Sequence, residues 1–310
     1  MKTILFLNHK VQNCGVYQYG YRTAQIITRS KKYNIKYREV ESLEEYQHLA
    51  NNLRPKVIIY NYYPSTMPWI NHTLLDSKRN KFKQIAIFHE VPLTGFDYYI
   101  CVDPTDEFKT LYNWIDFSVG RPLIDFETEY KNNNIPIIGS FGFGMGNNQY
   151  WNLVKLVNSE FDKAVINLHI SFGAFGDKDG KSALSIAEEC RKLNTKLGIQ
   201  LNITHNFMPV EKLLKFLARN TLNAFIYADL YGRGPSSTID YALSVKRPIA
   251  INKSYQFRHL QGIKPSIYVE ESSLTDIIKN GIKPLEKFYK MWASGNLIKD
   301  YEDILDKICL

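Results

Sequence analysis

The sequence predicts an α/β protein with two successive Rossmann-like parallel-sheet domains, and three observations carry that expectation. Short apolar runs without alternation recur along the chain, each followed by a loop and then an amphipathic stretch. That is the pattern of strands buried on both faces and covered by helices. The length of 310 residues exceeds the size at which one core usually stops growing. Over residues 120–134 the pattern loosens into Arg-Pro, acidic residues and Lys-Asn-Asn-Asn, a composition that marks a boundary. Domains are therefore expected over 1–130 and 131–290, with a helical segment over 291–310 returning to the first.

In the first half, residues 3–7 read as a buried strand and 8–15 as a loop, with Gly15 at the corner before a helix over 16–28. A glycine there suits either a simple turn or the close approach of a ligand. A strand over 33–40, a helix over 43–51, a strand over 56–60, a helix over 67–75 and strands over 84–88 and 98–102 follow. Ligands of such sheets bind beyond the C-terminal ends of the strands. His89 and Glu90 close the strand 84–88, which makes them this half's candidate catalytic pair. An imidazole exchanges a proton near neutral pH, and a carboxylate serves as a base.

In the second half, a strand over 135–141 leads into the glycine-rich loop 142–148 and a helix over 149–157. Gly142 and Gly144 suggest a phosphate or ribose cradle, although the spacing departs from the Gly-x-Gly-x-x-Gly fingerprint. A strand over 164–170, a helix over 182–193, a strand over 199–204 and a helix with Leu213, Leu214, Phe216 and Leu217 on its apolar face come next. A short strand is expected over 266–269. From 274 to 310 the pattern is helical, and so apolar a tail needs a surface to cover.

The stretch 224–254 organises the rest. It joins an apolar strand, a Gly-Arg-Gly-Pro loop, Ser236, Ser237 and Thr238 at a helix start, and a second apolar strand. A helix N-terminus carries unpaired amides and about half a positive charge. Hydroxyl donors and the planar cation of Arg233 beside it, with Gly234 in the loop, suit a phosphate. The plainer reading is a serine cap beside a solvated arginine.

Composition narrows the class. A 45% hydrophobic and 23% charged chain is ordinary for an ordered globular protein. The net charge of +8 permits contact with nucleotides, with an anionic membrane surface and with nucleic acid, the last motivated by charge alone. Cys14, Cys101, Cys190 and Cys309 lie far apart, giving neither a zinc pattern nor a disulfide framework. The first apolar run is too short for a signal peptide, and no run approaches the ~20 residues of a membrane span. A cytoplasmic protein is expected, with peripheral contact at the inner membrane face allowed by its charge.

Taken together, two α/β domains with glycine corners at their first loops, the passage 206–254 and a helical tail resemble the GT-B glycosyltransferases. The similarity is to the nucleotide-sugar-dependent group that includes sucrose synthases and bacterial mannosyltransferases. It covers the whole chain as layout but only 206–254 as residue pattern. The resemblance implies domains facing a cleft and transfer of a sugar from a nucleotide-diphosphate sugar to a glycan or other hydroxyl acceptor. It implies no metal and no cofactor beyond that donor, and a place in polysaccharide biosynthesis. Asp240 would bind the ribose, though the register also allows Tyr241. The family's first acidic position falls on Gly232 or Arg233 and is not acidic here. Arg233 and Lys181 would substitute for the cations that usually neutralise the diphosphate. Gly15 would lie over the cleft, and His89 would reach the donor sugar. A sugar-nucleotide epimerase and a non-catalytic nucleotide-sugar-binding module are the alternatives on this architecture.

Overall fold

A computed structural model describes residues 1–90, 94–105, 107–127 and 134–309. The chain divides into two compact units, Met1–Ile124 with Met291–Leu310, and Asp125–Lys290. The boundary expected at 130 lies outside the described residues.

The first unit is a six-stranded parallel sheet of β1 (Thr3–Asn8), β2 (Asn34–Glu39), β3 (Val57–Tyr60), β4 (Lys83–Phe88), β5 (Tyr98–Cys101) and β6 (Phe117–Ser118), ordered β2-β1-β3-β4-β5-β6. Successive side chains of β1 enter two separate cores, as a strand covered on both faces requires. Ile4 and Phe6 pack with Tyr301, Ile304 and Leu305, whereas Leu5 and Leu7 pack with Tyr46, Tyr60 and Leu75. The first set brings the tail helix onto this sheet beside α1 (Gly15–Ile27). Helix α2 (Leu43–Leu53) starts where Ser42 Oγ accepts from the Glu45 amide.

Helix α3 spans His72–Lys78, five residues later than the start expected at 67. Asn71 Oδ1 accepts from the Leu74 amide at 2.9 Å, and that cap rather than Met67-Pro68 sets the start. The short α4 (Glu107–Leu111) and the two-residue β6 were not anticipated.

The second unit is a five-stranded parallel sheet of β7 (Ile137–Phe143), β8 (Ala164–Ser171), β9 (Ile199–Thr204), β10 (Leu222–Phe225) and β11 (Ile249–Ile251), ordered β11-β10-β7-β8-β9. Helices α5 (Tyr150–Glu160), α6 (Lys181–Leu193), α7 (Val210–Ala218) and α8 (Thr238–Ser244) connect the strands. The strand expected over 266–269 is a single bridge between Ile251 and Tyr268, made by the Ile251 amide to Ile267 O and the Val269 amide to Ile251 O, and the ladder stops where the Lys253 amide donates to Glu270 Oε1 instead. The tail breaks into α9 (Leu274–Asn280), α10 (Glu286–Met291) and α11 (Ser294–Cys309). Among the described residues no helix is long and apolar enough to cross a membrane.

In each sheet the strand order reverses once, between β1 and β3 and between β7 and β10. Loops leave such a point in opposite directions, so the C-terminal edge there is where α/β sheets open a ligand crevice.

Candidate functional site

At the reversal point of the second sheet, the chain leaving β10 is pinned from both sides. From the β7 side, the Ala228 amide donates to Asn147 O (2.8 Å) and the Gln149 amide to Ile226 O (2.8 Å). From the β11 side, Asn252 exchanges two hydrogen bonds with the Tyr227 backbone, Ser254 Oγ donates to Ala228 O, and the Tyr255 amide donates to Asp229 Oδ1. The Ser236 amide donates to Gln256 O at 2.9 Å. Three hydroxyls meet inside this frame. Ser236 Oγ and Thr238 Oγ1 stand 2.8 Å apart, and the Tyr227 hydroxyl lies 3.2 Å from Thr238 Oγ1 and 3.4 Å from Ser236 Oγ.

Helix α8 begins beside them. Ser237 is its N-cap but makes no side-chain cap, and among the described residues nothing accepts from the Ser237 and Thr238 amides. Arg233 is exposed, and its carbonyl accepts from Arg258 Nη1 at 2.9 Å. Arg258 is itself buried with its guanidinium 4.1 Å from the Tyr255 ring centroid. Sequence reasoning missed Arg258, which fixes the loop's backbone at Arg233. Gly234 lies half-buried in the same loop.

Gly142 closes the β7 side at φ +152°, where a Cβ would stand 2.9 Å from both Asn148 Nδ2 and the Tyr150 hydroxyl. Glycine is therefore needed here for backbone and space together. The Tyr150 hydroxyl is buried with no hydrogen-bond partner among the described residues, and burial pushes its pKa well above the ordinary tyrosine value. Burial likewise raises Tyr227. Both phenols stay protonated.

Three expected ligand contacts are placed differently. Gly144 is packing: a Cβ there would meet Ala183 Cα at 2.4 Å, so α6 leans directly on this loop. The start of α6 is already occupied by the buried Asp177, whose Oδ1 and Oδ2 accept from the Ser182 (2.9 Å) and Ala183 (3.0 Å) amides. Lys181 is exposed and pairs with Asp179 at 2.6 Å. A carboxylate thus caps the start of α6, where Lys181 was expected to neutralise the diphosphate. Asp240 is 0% exposed, inside a helix buried from Ile239 to Ser244, so it presents no oxygen to a ribose in this structure. Its neighbour in register, Tyr241, is buried as well.

A separate polar chain runs along the C-terminal edge of the first sheet. Asn8 ends β1, Asn61 follows β3 and His89 follows β4. Asn61 Nδ2 donates to Asn8 Oδ1 (2.8 Å) and to Val16 O (2.7 Å), which leaves Asn61 Oδ1 to accept from His89 Nε2 at 2.8 Å. His89 is therefore the neutral tautomer with a bare Nδ1. Burial first, then the charges of Arg121 and His9, lower its pKa to about 3. A group that acidic is a poor proton acceptor at neutral pH, so His89 Nδ1 is suited to accept a hydrogen bond rather than to remove a proton.

His9 was also missed. It is 1% exposed, its Nδ1 accepts from the Val11 amide, its Nε2 has no partner among the described residues, and burial lowers its pKa to about 4. Glu90 is half-buried beside His89. Gly15 opens α1, and a Cβ there would meet nothing within 4 Å, so the helix start is uncovered. Among the described residues no three His, Cys, Asp or Glu side chains cluster to hold a metal ion.

No protein-family model matches the chain, and neither does any curated protein. Solved structures do match over its whole length. HepE of Anabaena in complex with UDP is 10% identical, with a TM-score of 0.67 over 99% of this chain and 100% of that one. An alpha-glucosyltransferase in complex with UDP and a 13-mer DNA is 11% identical, with a TM-score of 0.65 over 99% and 100%. The lipopolysaccharide outer core galactosyltransferase WaaB is 11% identical, with a TM-score of 0.61 over 99% and 100%. The chain has the GT-B fold of these proteins.

Proposed function

We propose that the protein is a glycosyltransferase that takes a nucleotide-diphosphate sugar as donor and a hydroxyl compound as acceptor. The observation that carries the reading is the corner at the β7/β10 reversal. There the free amides of Ser237 and Thr238 open a helix beside three hydroxyls, with the exposed Arg233 in the adjoining loop. Whole-length likeness to structures that hold UDP supports it. In this reading the diphosphate rests on those amides and on Ser236 and Ser237, and Arg233 adds a cation as the bond to the sugar breaks. Such preorganised donors stabilise a departing anion. In the first unit, His89 Nδ1 is suited to accept a hydrogen bond from a hydroxyl of the acceptor, and the uncovered start of α1 at Gly15 leaves space for a ligand. The ribose contact is left to a group other than the buried Asp240.

Transfer is proposed to proceed without a metal, and undiminished turnover after chelation is the expected result. The acceptor is proposed to be a glycan. A nucleic-acid acceptor is the second reading, favoured by the net charge of +8 and by the DNA in one similar structure. Titration of nucleoside diphosphates into the wild type and Arg233→Ala tests the donor site. The expected result is affinity about ten- to hundredfold weaker in the variant, as for loss of a charge-assisted contact of about 1.5–3 kcal/mol. Equal affinity removes Arg233 from the site.

A further inference from the structure

The strand-end site of the first unit lies at the C-terminal edge of its sheet. At the opposite edge, where β3 and β4 begin, there is a cavity of about 480 Å³ between the ends of α2 and α3. That volume is within the roughly 300–1,000 Å³ of small-molecule sites. Arg54, Lys56, Lys78 and Lys81 line it, over an apolar floor that includes Pro55 and Phe82, and no acidic residue contributes to the lining.

Several lysines elsewhere in the chain are answered by carboxylates. Lys10, Lys32, Lys181, Lys215, Lys253 and Lys299 each pair with a carboxylate. The four cations of the cavity make no ion pair with any described residue. Two helix C-termini face the same region, and basic residues complement such ends. Each end carries only about half a negative charge, so together they offset about one of the four positive charges. The backbone adds an independent sign. Arg54 sits at φ 41°, ψ 55°, just past the end of α2, a left-handed position that glycine normally fills and that costs another residue about 1–2 kcal/mol. A cation is held where glycine would be less strained.

We propose that this cavity binds a phosphate ester, carried either by a free small molecule or by a lipid headgroup, as a site separate from the donor corner. The guanidinium and ammonium groups take the phosphate oxygens. Pro55 and Phe82 take the carbon skeleton.

The test uses the full chain with two probes, inorganic pyrophosphate followed by calorimetry and phosphatidylglycerol-containing vesicles followed by co-sedimentation. Lys56→Ala/Lys81→Ala is compared with Lys31→Ala/Lys163→Ala, which removes equal charge elsewhere, and with Arg233→Ala, which reports on the donor corner. The expected result is a binding component at least tenfold weaker in the cavity variant and retained in both others. Loss of pyrophosphate binding alone in the cavity variant assigns a soluble ligand, and loss of vesicle binding alone assigns a headgroup. The proposal is overturned if neither probe distinguishes the cavity variant from wild type, or if the charge-matched control loses as much.

Discussion

The Tyr150 hydroxyl is a polar group kept inside the second unit with nothing among the described residues to bond to. Leaving such a group unpaired costs about 1–3 kcal/mol, so Tyr150→Phe is expected to stabilise the protein by about 1 kcal/mol in a denaturant titration. If the hydroxyl is reserved for the donor, the same variant binds nucleoside diphosphate more weakly. A stability loss would mean that the ring needs its oxygen for the fold. Histidines make the opposite argument. Burial holds His9 and His169 at about 4 and His89 at about 3, against about 6.5 in an unfolded chain. Above pH 6.5 these rings are neutral in both states and their contribution is complete. As pH falls toward 3–4 the unfolded chain binds protons that the folded one refuses, and stability is lost. The denaturant midpoint should therefore fall between pH 6.5 and pH 4, and His89→Gln should flatten that slope. An identical slope in the variant would show that His89 is not held neutral.

Among the elements, the loop following β7 is fixed by the way α6 packs on it. Gly144 allows Ala183 to approach within the space a methyl would need, and the clash is with backbone, which cannot swing aside. Gly144→Ala is expected to destabilise by about 1–3 kcal/mol, measured by denaturant unfolding. No change would mean that α6 can slide. This loop also shows what a sequence conceals. Its glycines were legible, but their cause was not, because Asp177 fills the α6 amides from a position outside any recognisable capping pattern. Apolar strands such as β1 and β3 were readable because burial on both faces demands apolar runs. The two-residue β6 and five-residue α4 are too short to show a period. Which residues of α8 meet a ligand is illegible for a related reason: a helix buried from Ile239 to Ser244 has no solvent-facing polar side, so its register says nothing about it. Arg258 and Asn61 act through backbone atoms of distant segments, contacts that local patterning does not encode.

Considered as a whole molecule, the chain repeats one solution twice. Each unit is a parallel sheet whose order reverses once, and each has polar atoms without a partner among the described residues along its C-terminal edge: His89 Nδ1 and His9 Nε2 in the first, the Tyr150 hydroxyl and the Ser237 and Thr238 amides in the second. The tail helix α11 packs against the first strand, so the first unit includes residues 291–309. Fold alone does not assign chemistry, and sequence identities of 10–11% to the similar structures leave that assignment to the site. The central claim is that the corner formed by β10 and α8 holds the donor's diphosphate. Hydrogen exchange at the Ser237 and Thr238 amides, with and without a saturating nucleoside diphosphate from a panel of UDP, GDP and ADP, tests it most directly. Slower exchange at these two amides with whichever nucleotide binds is the predicted result, and binding that leaves both amides unprotected would contradict it.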